Sequence, residues 1–405
     1  MSLHSLMFGW EYPPRHAGGL GVACQGMVRG LLKNGVHVTL VLPSGEAEDG
    51  HVDIRFPTLA QWMEIRVDSD LQPYDDFAAY AFRSEARHVP EDMGDLYGPD
   101  LGAAVERYTA LAVDMTRDVH PDVIHCHDWM TFEAGLRART HHEVPMIAQI
   151  HATELDRTDF HPDERIAKLE RESLRKADKV IAVSRYTKQI LVQHYGIDGD
   201  KISVVHNGHD VQARKVTPTL VAQHGKTKQP LILFLGRLTV QKNPWQFIEI
   251  AERVHALRPD ARFVMAGDGP MLPMLIERTA EKKLSDCVLF TGKVSRAEVQ
   301  SLYAEADCFV MPSLSEPFGL VALEAIEHGT PVIVSKQSGV AEVLDHAFKA
   351  DYWDADKMAD CILTILREEP LARQLTSEAP RLLQRLSWKN QAGAIRSVYH
   401  DTIRS

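Results

Sequence analysis

Two successive series of short apolar segments, each segment followed by an amphipathic helical one, constrain this chain more than any other feature. The first series opens with an apolar strand over 3–9, a Gly/Pro-rich turn over 10–21, a helix to about Lys33 and a strand over 36–42, which together make a βαβ unit. It resumes with a helix over about 102–119 and strands at 123–127, 146–150, 179–183 and 202–205. Helices fill the gaps between these strands, the last opening at Ser184, whose hydroxyl suits an N-cap. The second series places strands at 231–235, 262–266, 287–290, 308–311, 332–334 and 347–350. Alternation of this kind predicts parallel sheets covered on both faces, so the fold class is α/β, with two Rossmann-like domains in tandem.

The break between the series sets the domain boundaries. Residues 208–229 lose the periodicity, are polar and contain Pro218 and Gly225, so they read as a linker between a domain over 1–207 and another over 230–385. The closing helix, 386–405, repeats Ala392, Ile395, Val398 and Tyr399 at helical spacing after Trp388. That apolar face needs a surface to cover it, and the first domain is a candidate. Residues 45–100, with scattered aromatics and acids, read as an irregular insertion with no assigned role. A chain of 405 residues, 44% hydrophobic and 25% charged, is long enough for two domains of roughly 150–200 residues.

Composition also limits function. A formal charge of −11 argues against a nucleic-acid binder, although a local basic pocket for a small anion fits within an acidic surface. No transmembrane run and no basic-then-apolar leader is visible, which makes the cytoplasm the expected location. Five dispersed cysteines without a Cys-x-x-Cys pair read as small buried hydrophobes.

The candidate chemistry lies at strand ends. In the second domain, the stretch 312–331 carries Glu316 in a Ser/Pro/Gly-rich turn and Glu324 on the helix that the turn starts. The Phe318-Gly319-Leu320 backbone there offers N–H groups at a helix N-terminus, suited to an anion or a hydroxyl. Arg237 and Lys242 share the loop after the first strand of the same domain, where a guanidinium fork and an ammonium suit a diphosphate. Gly267-Asp268-Gly269-Pro270 forms another strand-end turn. Each feature alone also fits a plain turn, a solvated charge or a carboxylate favoured by a helix dipole; their coincidence on strand-to-helix junctions of one domain favours function.

In the first domain, Gly18, Gly19 and Gly21 stand between the first strand and first helix, where backbone can approach a phosphate. The pattern is not Gly-x-Gly-x-x-Gly and no ribose-binding acid follows at the usual spacing, which weighs against a dinucleotide. His125, His127, Asp128 and His151 sit at the ends of two strands, with His125 and His127 on one face and Cys126 on the other. A metal is conceivable there, but no ligand helix or complementary carboxylate spacing accompanies the histidines, and none is assigned.

Taken together, Glu316-x7-Glu324 within Glu-Pro-Phe-Gly-Leu text, Gly-Arg237-x4-Lys242, Gly18-Gly19-Leu20-Gly21 after Glu-Tyr-Pro-Pro, His-x-His127-Asp128-Trp and His151-Ala-Thr-Glu resemble the retaining nucleotide-sugar glycosyltransferases of the GT-B fold, in the branch that includes glycogen and starch synthases. The resemblance covers nearly the whole chain. It implies two Rossmann-like domains facing an inter-domain crevice. It also implies that Arg237 and Lys242 bind the donor diphosphate, that Glu316 and the Phe318, Gly319 and Leu320 backbone hold the donor sugar, and that Glu324 binds the ribose. His151 would contact the sugar and the reacting centre, Gly18 and Gly19 would approach the phosphates, Gly269 would lie on the donor side, and His127 and Asp128 on the acceptor side. The implied partners are a nucleotide-sugar donor, UDP-glucose or ADP-glucose, and a glucan or other sugar acceptor, with no cofactor and no metal. One departure bears on the donor base: ADP-glucose-using bacterial enzymes commonly carry Lys-x-Gly-Gly-Leu, and His16 occupies the lysine position. Alternatives are a transferase of the same fold acting on a lipid-linked or surface-polysaccharide acceptor or on glucose to give trehalose, a sugar-nucleotide epimerase, an NAD-dependent oxidoreductase and a non-catalytic glucan-binding module.

Overall fold

The structure, a computed structural model, describes residues 3–13, 19–43, 52–55, 101–211 and 229–404. Gly18, His16, nearly all of the 45–100 stretch and most of the 208–229 linker therefore lie outside the described residues. The chain divides into two compact units, Met1–Gly208 with Leu386–Ser405, and His209–Arg385.

The first unit contains strands β1 (Leu3–Phe8), β2 (Val36–Val41), β3 (Asp53–Arg55), β4 (Val123–His127), β5 (Met146–Ile150), β6 (Lys179–Ala182) and β7 (Ile202–Val204). All pair in parallel, in the order β3-β2-β1-β4-β5-β6-β7. Such strands are buried on both faces, which is why β4 and β5 are buried along their whole length. Its helices are α1 (Gly19–Lys33), α2 (Leu101–Leu111), α3 (Trp129–His142), α4 (Glu154–Arg157), α5 (Glu164–Lys176) and α6 (Arg185–Gln193). Ser184 caps α6 as its sequence suggests, its hydroxyl accepting from the Thr187 N–H.

Three local outcomes differ from expectation. Helix α1 already includes Gly19 and Gly21, so the glycine cluster lies partly in the helix rather than wholly in the turn before it. The helix expected to Val119 stops at Leu111, followed by a 3-10 turn over Asp114–Thr116. There the Thr116 hydroxyl donates to the carbonyls of Ala112 and Val113, the local competition by which such side chains unwind helices. The three-residue edge strand β3 lies in text whose short run carries no periodic signal.

In the second unit β8 (Leu231–Leu235), β9 (Arg262–Ala266), β10 (Val288–Gly292), β11 (Cys308–Met311), β12 (Val332–Ser335) and β13 (Phe348–Ala350) form a parallel sheet in the order β10-β9-β8-β11-β12-β13. It is covered by α7 (Pro244–Leu257), α8 (Leu272–Glu281), α9 (Arg296–Glu305), α10 (Leu320–Glu327), α11 (Ala355–Arg367), α12 (Glu369–Ser377) and α13 (Ala379–Arg385). Phe247 packs between Phe234, tilted against it, and Phe263, edge-on to it, in the core of this unit.

The closing helix, α14 (Trp388–Arg404), packs on α1 in the first unit. Its buried face is Trp388, Ala392, Ile395, Val398, Tyr399 and Thr402. A methyl group on Gly30 of α1 would stand 2.5 Å from the Trp388 carbonyl oxygen, so absence of a side chain there lets the two helix backbones approach. Among the described residues no helix is long and apolar enough to cross a membrane.

Candidate functional site

Each sheet has one point where the strand order reverses, and ligands of open parallel sheets bind beyond the carboxyl ends of the strands flanking such a point. In the first unit it falls between β1 and β4, in the second between β8 and β11. The residues singled out from the sequence cluster at these ends.

In the first unit β4 delivers His127 and then Asp128, whose backbone takes φ 59°, a strained conformation for a non-glycine residue. Asp128 does not cap α3 with its side chain. The carboxylate turns instead to the end of β5 and accepts from the backbone N–H of His151 at 2.7 Å and of Ala152 at 3.4 Å. The strain is thus tied to fixing the His151 backbone. The His151 ring is fixed as well, its Nε2 lying 3.0 Å from His127 Nδ1. Burial pushes the pKa of both imidazoles below the ordinary histidine value, with neighbouring histidines adding to this for His127, while the Asp128 carboxylate partly offsets it for His151. Burial thus disfavours the charged form of His151, which is held at ring and backbone at a strand end.

Sequence reasoning missed the group that braces this corner. Arg157, 7% exposed, lies 3.5 Å from Asp128 Oδ2, 3.5 Å from Glu170 and 3.6 Å from Glu154, and it donates to the Ala152 carbonyl at 2.7 Å. Glu170 also receives the Glu154 N–H and the Tyr195 hydroxyl. Burial raises the carboxyl pKa of Glu154 to about 7 and that of Glu170 to about 8, with Arg157 opposing both shifts. The available signal is the Thr153-x-x-Asp156 spacing, which forms a capping box at the start of the short helix α4 that carries Arg157.

At the start of α1, Gly19 is exposed, and an added methyl group would meet nothing within 4 Å. The Gly21 N–H is already engaged, donating to the fully buried Glu11 carboxylate at 3.2 Å. A carboxylate at a helix N-terminus is favourable in itself.

In the second unit Lys242 and Glu316 come together, Lys242 Nζ lying 2.5 Å from Glu316 Oε2, with the Ser313 hydroxyl 3.3 Å from the same oxygen. The loop carrying Glu316 is fastened on both sides by backbone bonds, Leu314 N–H to the Gln241 carbonyl, Glu316 N–H to Gln337, and Val340 N–H to Phe318. Glu316 is consequently part of a clamped turn. An ammonium carries three donors, so the bond to Glu316 leaves capacity for a phosphate oxygen. Arg237 stands in the same β8–α7 connection, its carbonyl accepting from Thr239. Gly269 packs directly under that connection: a methyl group on it would lie 2.6 Å from the Leu238 carbonyl oxygen.

Gly319 is the residue before α10 and has φ 104°, a left-handed conformation that glycine adopts without penalty. It turns the chain so that α10 starts at Leu320 directly after the Glu316 turn. Glu324, partly buried on α10, accepts from the Tyr303 hydroxyl at 3.2 Å, and burial raises its pKa. It lies one turn before Glu327, which pairs with His209 at 2.6 Å. Lys242, Glu316, Gly319 and Glu324 thus occupy one contiguous β11–α10 junction and the loop beside it.

Comparisons with known proteins agree with this geometry. Residues 17–213 match the family described as Glycosyltransferase Family 4 and residues 216–382 the family described as Glycosyl transferases group 1. An uncharacterized glycosyltransferase of Methanocaldococcus jannaschii is 30% identical over 413 residues, covering 97% of each chain. A glycogen synthase of Mycobacterium tuberculosis is 28% identical, covering 97% of this chain and 94% of its own. The solved structure of a sucrose-phosphate synthase from Thermosynechococcus elongatus superposes with a TM-score of 0.75 at 20% identity, covering 98% of both chains. Two parallel Rossmann-like sheets, each with its candidate residues beyond the strand ends at its switch point, and relatives matching along the full length lead to one conclusion: the chain belongs to the group 1 glycosyltransferases of the GT-B fold.

Proposed function

We propose that the chain is a retaining hexosyltransferase that moves a glucosyl unit from a nucleoside-diphosphate glucose, UDP-glucose or ADP-glucose, to a glucan-type acceptor. The observation that carries this reading is the Lys242–Glu316 pair with Arg237 in the same loop, cations for a diphosphate beside a carboxylate for sugar hydroxyls. Full-length similarity to a protein named glycogen synthase supports a glucan as acceptor.

In this mechanism the bond between the sugar C1 and the diphosphate oxygen breaks while the acceptor oxygen bonds to C1 on the same face. The departing phosphate takes the acceptor proton, so no separate enzymic nucleophile is needed. The largest demand is stabilising charge that grows on the leaving diphosphate, which Arg237 and Lys242 meet. Glu316 and the Phe318–Leu320 backbone hold the sugar, Glu324 the ribose, and Gly269 shapes the donor loop. His151 serves as a neutral hydrogen-bonding group for the sugar, Gly18 and Gly19 allow approach of the phosphates, and Asp128 and His127 lie on the acceptor side. With two fixed cations in place the chemistry has no need of a metal, and activity is expected to survive chelation.

The test is a panel of ADP-, UDP- and GDP-glucose against glycogen, maltose and glucose, read as released nucleoside diphosphate. Release that requires glycogen and either UDP- or ADP-glucose is the expected result. Release only with glucose as acceptor would replace the glucan reading by a disaccharide-forming one, and release without any acceptor would count against transfer.

A further inference from the structure

The first unit brings together a donor set of which the proposed transfer uses only the two histidines, leaving Cys24 without a role. Cys24 of α1, His127 of β4 and His151 after β5 each offer a ligand atom, and the three atoms lie within 4.8 Å of one another. Sequence reading treated Cys24 as a small hydrophobe; it is fully buried, at the inner side of α1 facing the ends of β4 and β5.

We infer that Cys24, His127 and His151 form a binding site for a thiophilic divalent cation of the zinc type. Three observations converge on it. One sulfur and two imidazole nitrogens from three separate elements are a borderline-soft set that zinc accepts, as in three-ligand sites that keep a fourth position open. Ligand distances of about 2.0–2.3 Å put the ligand atoms of a tetrahedral zinc roughly 3.3–3.8 Å apart, so shifts on the order of an ångström close the observed triangle. Among the described residues His127 Nε2 and His151 Nδ1 are buried with no hydrogen-bond partner, so each ring keeps a buried nitrogen that no described group engages.

The entry side is His151, which is only partly buried, whereas Cys24 and His127 are fully enclosed. Binding displaces the Cys24 proton to solvent and leaves each imidazole with its single proton on the nitrogen that does not coordinate. On the functional reading above, a bound cation takes the His151 imidazole away from the sugar, so occupancy and transfer exclude each other.

The test uses the full chain, reduced and stripped with a chelator, titrated with Co²⁺ and with Zn²⁺. The expected result is one cobalt per chain with a thiolate-to-cobalt charge-transfer band in the near ultraviolet, bleached by Zn²⁺ and absent in Cys24→Ser and Cys24→Ala. Zn²⁺ should also raise the thermal midpoint of the wild type and leave that of either folded variant unchanged. No charge-transfer band in the wild type, or a band that persists in both variants, overturns the inference. Because the spectrum needs no donor sugar, such a failure would not bear on the transferase reading.

Discussion

Lys242 and Glu316 stand 74 positions apart, yet their side chains meet at 2.5 Å. Both were identifiable from sequence because charged residues in Gly/Pro-rich text after a parallel strand have little structural reason to be there. Their contact was not identifiable, since it depends on β8 and β11 being neighbours in the sheet. Glu324 differs in kind: it is partly buried, raised in pKa by that burial and tied to Tyr303. A group placed to grip ribose acts equally on ground and transition states, so its loss should be uniform. Glu324→Gln is accordingly expected to raise the donor KM with kcat within a few-fold of wild type, as measured by initial rates at varied donor. A collapse of kcat at unchanged KM would make Glu324 part of an acid/base pair instead. Arg157 and Cys24 went unread for the opposite reason. Apart from the Thr153-x-x-Asp156 spacing before Arg157, nothing around a lone arginine or cysteine reveals that the fold buries it beside Asp128 or His151.

Among elements, the strands were most legible: 123–127, 146–150, 231–235, 262–266 and 308–311 match β4, β5, β8, β9 and β11 to the residue. Parallel strands buried on both faces are continuous apolar runs with sharp polar ends. Helix ends were less so, because Thr116 and the Thr153 capping box act through side-chain bonds that periodicity does not register. The α1–α14 contact turns on Gly30. Alanine in a helix interior normally gains about 0.5–1 kcal/mol over glycine, but here its methyl group would stand 2.5 Å from the Trp388 backbone oxygen. Forced overpacking costs typically about 1–3 kcal/mol, so the clash should outweigh the propensity gain. Gly30→Ala is expected to lower the urea midpoint, whereas Gly35, an open position, has φ 74° and would lose stability on substitution by backbone strain alone. An unchanged or raised midpoint for Gly30→Ala would mean that α14 is not closely seated on α1.

For the molecule as a whole, two sets of buried groups give opposite pH slopes. His125, lowered by burial to about 3 from 6.5, and the likewise lowered His127 and His151 bind fewer protons folded than unfolded, so they add stability as pH rises toward 6.5. Glu154 and Glu170, raised to about 7 and about 8 from 4.5, hold protons that the unfolded chain has lost, so they remove stability as pH rises from 4.5 through 8. Above about pH 6.5 the histidine slope fades and the carboxyl slope dominates. The thermal midpoint should therefore fall between about pH 6.5 and pH 8.5, with a shallower fall in Glu170→Gln; a flat profile in the wild type would show that Arg157 keeps both carboxylates ionised. The proposed transfer rests, however, on the second unit neutralising a leaving diphosphate with fixed cations. Its most direct test is the rate of acceptor-dependent nucleoside diphosphate release by Lys242→Ala, with folding verified by an unchanged thermal midpoint. Loss of one preorganised charge donor predicts a fall of about 10²–10³ in that rate, and a wild-type rate in the folded variant would contradict the account.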